Sequence, residues 1–243
     1  MLSKINRIRK EKGLAYLPVA GFRRLKSKAK VSFWYNYFRY FKSRRTFTFQ
    51  QKKYRYFYHK YNTTWVNERA VEIPIVLNIL KEFNGSILEV VNVLSHYFPV
   101  HHDVVDKYEQ AEGVINADVT EISFSKKYDL IICISTLEHV GWDEDPEKRS
   151  TLNDGQKIVA AVNKLRTLLN PKGKIVFTVP VGYNPNLDTL LRSNGLRFDK
   201  LFCLKRISSD NRWVETTWKD IENAKFQSPF PFANGLVVGV IEG

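Results

Sequence analysis

Only two cysteines, Cys133 and Cys203, occur in 243 residues, and both lie in apolar runs, "LIICIS" and "LFCLKR". That usage excludes a disulfide framework and a thiolate metal site, and fits buried free thiols in a reducing compartment. No apolar run reaches the length a bilayer requires. The start "MLSKINRIRKEKG" is basic, but no apolar stretch follows it, which argues against a secretory signal. A cytoplasmic protein is expected. Acids are nearly missing from the first quarter: residues 1–60 hold 18 of the 38 Lys and Arg and one acid, Glu11. The remainder holds 20 bases and 24 acids, so the basic character belongs to the N-terminal segment alone.

Within that segment, residues 33–61 carry 14 aromatic side chains interleaved with Lys and Arg. Three readings stand open. The aromatics can cover an apolar face of the main domain, meet an anionic membrane surface peripherally, or stack on nucleic acid. The composition changes after residue 62. A basic aromatic extension is therefore expected over 1–62 and a globular domain over 63–243.

From residue 63 helix and strand patterns alternate. "NERAVEIPIVLNILKEFNG" is helical, with Gly85 as its expected C-cap. "SILEVV", "HDVVDKYE", "GVINADVTEI" and "KYDLIICISTLEHV" read as the first four strands. "DGQKIVAAVNKLRTLLNPKGK" is an amphipathic helix, "IVFTVPVG" a fifth strand and "NLDTLLRSNG" a helix. "RFDKLFCLKRI" and "GLVVGVIEG" supply two last strands, expected to pair as a hairpin. The alternation predicts a mostly parallel α/β sheet with helices on both faces.

In such a sheet, ligands bind beyond the carboxyl ends of the strands. Acids fall at three successive strand ends: Glu89 near the end of the first strand, Asp106 at the end of the second and Asp118 at the end of the third. A carboxylate after strand two is placed to accept hydrogen bonds from a ribose diol, and one after strand three from an exocyclic amine. On "ILEVVNVLSHY", "VVDKYE", "NADVTE", "YDLIICISTLEHVG" and "LLNPKGKIVFTVPVG", the chain from about residue 65 onward resembles the class I S-adenosylmethionine-dependent methyltransferases. The resemblance implies a Rossmann-like, seven-stranded sheet with an antiparallel last strand, and S-adenosylmethionine as cofactor. It implies that Asp106, with Lys107 beside it, meets the ribose and that Asp118 and Val119 meet the adenine. Glu89, Val90, Val91 and Asn92 would lie by the methionine moiety, and Ser135, Thr136 and Leu137 would line the pocket. Glu72, ahead of the first strand, would close over the cofactor.

Glycine is missing where that family has it, at Val91. A donor without phosphate needs less backbone access than a dinucleotide does. Val91 is expected to stay extended and Asn92 to make the turn. His139, in the loop after the fourth strand, is the candidate general base for a hydroxyl acceptor. Glu138, Trp142, Tyr183 and Asn184 are the candidate acceptor contacts. His96, His101 and His102 cluster in "SHYFPVHHD", but the spacing matches no familiar metal pattern, so no metal is expected. The expected function is O-methylation of a small molecule or glycan. An RNA methyltransferase using the basic arm and a non-catalytic scaffold of the same fold are the alternatives.

Overall fold

The computed structural model describes residues 16–142 and 154–243, with side chains over 28–142 and 155–243. Residues 1–15 of the expected basic extension lie outside the described residues, as do Asp143–Asp145 of the loop beyond Trp142. Helix α1 (Tyr16–Phe41) leads into a hairpin, β1 (Thr46–Phe49) and β2 (Lys52–Arg55). Helix α2 (Arg69–Lys81) precedes β3 (Ile87–Val90), β4 (Asp103–Val105), β5 (Val114–Ile115) and β6 (Tyr128–Ile134). Then come α3 (Asp154–Thr167), β7 (Leu169–Pro180), α4 (Pro185–Arg192), β8 (Lys200–Arg206), β9 (Trp213–Thr216), α5 (Trp218–Ile221) and β10 (Gly235–Glu242).

Strands β3 to β10 form one eight-stranded sheet in the order β5-β4-β3-β6-β7-β10-β8-β9. The five strands from β5 to β7 run parallel, and β10 is antiparallel to both of its neighbours. With β9 set aside and β3 counted as the first strand, the order is 3-2-1-4-5-7-6, a Rossmann-like sheet. Two expectations need correction. The sheet has an eighth strand, β9, and the final hairpin is β8–β9, through the turn at Ser208–Asn211. Strands β8 and β10 do pair antiparallel, but β9 and α5 lie between them in sequence.

Strand β6 shows why the sheet is buried on both faces. Ile131 and Cys133 face α3 and α4, among Ile158, Leu165, Leu187 and Phe177. Leu130, Ile132 and Ile134 face α2 and the β1–β2 hairpin, among Val71, Ile75, Phe47 and Phe49. A strand covered on both sides needs the continuous apolar run seen here. Cys133 and Cys203 are buried and free. Burying Phe47 and Phe49 stabilises the hairpin's seat by about 2–3 kcal/mol each, as an upper value. This part of the aromatic segment is therefore packing, whereas Phe33, Tyr40 and Phe41 of α1 stay exposed.

The hairpin is also tied by polar contacts across the chain. Pro74 has no N–H for the carbonyl of Ala70, and the backbone N–H of Phe57 donates to that carbonyl instead, at 2.9 Å. Arg45 pairs with Asp210 at 3.0 Å, and the Gln50 N–H donates to Glu215 at 2.9 Å. Gly85 is not the C-cap of α2, which ends at Lys81 with Glu82 as its cap. A Cβ on Gly85 would stand 2.6 Å from the Asp129 carboxylate, so close approach explains the glycine.

Candidate functional site

The carboxyl ends of β3, β4 and β6 meet at one edge of the sheet, as the parallel order requires. Val91 extends the ladder by donating its N–H to the Val105 carbonyl at 2.8 Å, and the chain must turn at once. It does so with Val91 itself at φ +69°. The expectation of an extended Val91 and a turning Asn92 is corrected. Asn92 is held outside the left-handed region because its groups are committed: its N–H donates to Asp106 Oδ2 at 3.0 Å and its Nδ2 to Glu109 Oε1 at 2.9 Å. A β-branched residue with positive φ stores strain of about 1–3 kcal/mol. Contacts of the Val91 side chain with the α2-side core help hold it there.

Glu89 is fully buried, and both its oxygens are used inside the protein. Oε1 accepts the N–H groups of Val93 and Leu94 at 2.9 and 2.8 Å, and Oε2 meets His102 Nε2 at 2.8 Å. The residue assigned to the methionine moiety is therefore the peg that holds the loop from beneath. Asp106 works similarly at the end of β4. Besides the Asn92 N–H on Oδ2, its Oδ1 accepts from Tyr108 and Glu109 at 2.8 and 2.9 Å, tying two loops together. Its carboxylate is 6% exposed. Asp118, the acid beyond β5, pairs with Lys107 at 2.7 Å and accepts from the backbone and hydroxyl of Thr120. Burial pushes its pKa up, but the Lys107 and Thr120 bonds outweigh that and bring it to about 2. Val119 beside it packs on the α3-side core, as do Val90 and Leu137.

At the end of β6 the site turns acidic. Ser135, at φ +42°, donates its hydroxyl to Glu72 Oε1 at 2.6 Å, and the Thr136 hydroxyl reaches the Val90 carbonyl at 3.1 Å. These two bonds join β6 to α2 and to β3. Glu72 is fully buried and pairs with Arg69 at 2.7 Å. Glu68 accepts the Ala233 N–H at 3.2 Å. Glu138 is 1% exposed, and among the described residues its Oε2 has no hydrogen-bond partner. Burial raises the Glu138 carboxyl well above its ordinary range, with the charges of Glu72 and Glu68 adding to the effect and Arg69 opposing it. Burial and Glu72 likewise raise Glu68. Glu72 is the carboxylate that pairs with Arg69, while Glu68 and Glu138 lie near enough to feel its charge, and Glu68 that of Arg206 as well. Arg69 and Glu68 were not foreseen from the sequence. The available signal was an Arg and a Glu three apart in the first turn of a helix.

The candidate acceptor side lies around His139. Its ring is 57% exposed, stands edge-on to Tyr183 at 5.0 Å, and places Nε2 4.0 Å from Glu138 Oε1. Tyr183 in turn meets Phe226 edge-on at 4.9 Å. Trp142, half-buried, follows in the same loop, its N–H on the His139 carbonyl. Asn184 is buried and committed: its Oδ1 caps α4 through the N–H groups of Asn186 and Leu187, and its Nδ2 donates to the Glu138 carbonyl at 3.0 Å. It sets the angle of the Glu138–His139 loop.

The three histidines of "SHYFPVHHD" do not converge. His96 pairs with Glu109 at 3.2 Å and stacks on Tyr61, His102 belongs to Glu89, and His101 is exposed. Among the described residues no three His, Cys, Asp or Glu side chains gather as a metal site. A groove of about 480 Å³ opens at the opposite, amino end of β3 and β4, and it reaches the Glu89 loop through His102.

No family model matches the chain, and no curated protein matches it in sequence. Similar solved structures exist. The N-methyltransferase NodS of Bradyrhizobium japonicum WM9, in complex with S-adenosyl-L-homocysteine, is 14% identical. The match covers 72% of this chain and 87% of that one, with a TM-score of 0.43. An S-adenosylmethionine-dependent methyltransferase of Thermotoga maritima is 12% identical over 70% of this chain and 87% of its own, with a TM-score of 0.40. The glycopeptide N-methyltransferase MtfA, also with S-adenosyl-L-homocysteine, is 8% identical over 70% and 89%, with a TM-score of 0.39. The fold assignment rests on the strand order and directions given above.

Proposed function

We propose that this protein is an S-adenosylmethionine-dependent methyltransferase acting on oxygen in a small molecule or glycan. The observation that carries the reading is the buried Glu138 oxygen, without a hydrogen-bond partner among the described residues and close to Glu68, Glu72 and Arg69 at the carboxyl end of β6. A donor with a sulfonium and an ammonium group is a cation on the side it would present there, and carboxyl groups that burial keeps protonated can ionise against such a charge. The turn at Val91 supports the fit. It keeps the left-handed geometry that glycine would normally supply, so the loop has the required course without the residue.

In this reading the backbone of Val91 and Asn92 and the loop Ser135–Leu137 hold the donor, with Asp106 fixing both loops that frame it. Arg69 and Glu72 face its amino-acid end. When bound, the donor supplies an electrophilic methyl group on sulfur. The chain's own residues do the rest. The rings of Tyr183 and Trp142 offer flat surfaces for a sugar or ring. His139, more than half exposed and edge-on to Tyr183, can take the proton from an acceptor hydroxyl. Alignment of acceptor and donor supplies much of the remaining rate.

Titration calorimetry with S-adenosylhomocysteine tests the donor half of this reading. Wild type is expected to bind in the micromolar range, and Asp106→Ala to lose at least about tenfold, since three backbone N–H groups lose their acceptor. A folded wild-type protein that ignores both S-adenosylmethionine and its demethylated product would leave a scaffold of the same fold as the better account.

A further inference from the structure

Helix α1 presents an aromatic surface that the rest of the described molecule does not cover. Phe33 is 64% exposed, Tyr40 70% and Phe41 79%, and Trp34 is 40% exposed. At 100° per residue, the arc from Tyr40 through Phe33, Tyr37 and Phe41 to Trp34 spans roughly 120° of the helix. The inward face is fixed by Phe38, which is buried against Trp65 and Tyr58. The exposed arc is therefore held outward by a seated residue.

Cations border this arc. Arg39 lies over the Tyr40 ring at 5.9 Å, Lys42 over Tyr37 at 5.7 Å, and Arg44 follows the helix end in the open. Residues 28–60 contain no Asp or Glu, and the acid that approaches from elsewhere, Asp210, pairs with Arg45 at 3.0 Å and is close enough to feel the charge of Lys42. Exposed Phe and Trp on one arc, with Lys42 and Arg39 leaving the other side of the helix and their charged ends reaching back to the Tyr37 and Tyr40 rings, is the composition of an interfacial helix. No helix among the described residues is long and apolar enough to cross a membrane.

The arrangement of the rings separates lipid from nucleic acid. Stacking on bases requires free ring faces. Here Phe33 meets Trp34 edge-on at 5.6 Å, Trp34 meets Tyr37 edge-on at 5.6 Å, and Tyr37 stacks on Phe41 at 5.7 Å. The rings are committed to one another and form a contiguous apolar cap, which suits a headgroup–acyl boundary better than a base ladder.

We infer that the outward face of α1 docks the protein peripherally on an anionic phospholipid surface, Phe33 and Phe41 entering the boundary and Arg39, Lys42 and Arg44 meeting the headgroups. This inference does not depend on the activity proposed above.

Flotation of the full chain with phosphatidylcholine vesicles, with and without about a quarter phosphatidylserine, tests it. Wild type is expected to float with the anionic vesicles and at least about tenfold less with the neutral ones. Removing one cation should weaken partitioning about fivefold, so Arg39→Glu with Arg44→Glu should lose well over tenfold. Phe33→Ser with Phe41→Ser should lose a similar amount. All four positions are exposed, so circular dichroism should be unchanged in both variants. Three results would overturn the inference. One is equal flotation of wild type and both variants. Another is retention on short single-stranded RNA with none on vesicles. The third is a dimer in sedimentation velocity that the Phe33/Phe41 variant dissolves.

Discussion

Glu89 Oε2 and His102 Nε2 meet at 2.8 Å, and the same carboxylate's other oxygen receives the N–H groups of Val93 and Leu94. One buried side chain therefore ties the entry to β4 to the loop that leaves β3. Glu89→Gln can keep an acceptor for both N–H groups and offer His102 a donor, so its cost should stay near 1 kcal/mol. Glu89→Ala strands two buried donors and should lose about 3 kcal/mol in urea unfolding. S-adenosylhomocysteine binding should follow the same order, because the loop is what the pair positions.

Val91→Gly is expected to leave stability within about 1 kcal/mol of wild type. Relief of a strained φ of +69° offsets the lost packing and the added freedom of the unfolded chain. The neighbouring Val90→Gly has no strain to release and should lose roughly 3 kcal/mol, since Val90 is buried in the α3-side core. Chemical denaturation of the two variants in parallel checks this. Ligand binding by Val91→Gly should be kept or tightened.

The Glu138 carboxyl is raised in the folded state, with burial as the leading cause. The protonated form is thus the one the fold favours. Its contribution is full below the ordinary carboxylate range and is lost as pH rises through the raised value. Glu138→Gln mimics the protonated group at every pH. Its stability relative to wild type should therefore grow as pH rises above the ordinary carboxylate range, measured by denaturant midpoints at a series of pH values. Glu68 shifts in the same direction, so some slope should persist in the variant. A pH-independent difference would mean that Glu138 does not titrate there.

Much of the architecture was legible because parallel strands announce themselves as unbroken apolar runs, as "LIICI" of β6 does. Strand β9 was not, although "SSDN" before "WVET" is turn chemistry ahead of a β-branched run. Four residues carry too little periodicity to stand out. The acids after β3, β4 and β5 were visible as a pattern, but where their oxygens point was not. Glu89 and Asp106 turn inward to backbone N–H groups that sequence cannot locate. Arg69 escaped notice for the opposite reason: one Arg in a helix's first turn is commonplace, and only burial beside Glu72 singles it out.

Finally, the β1–β2 hairpin meets its seat late. Its ties to Asp210 and Glu215 each bridge 165 residues, and Phe49 rests on Phe202. A ribosome therefore releases the aromatic hairpin long before it makes the strands that will cover it. Phe47 and Phe49 find Tyr54 and α2 early, but Phe49 waits for Phe202 and the hairpin's outer ties wait for Asp210 and Glu215. Nascent chains stalled before β9 should be the ones that chaperones hold longest.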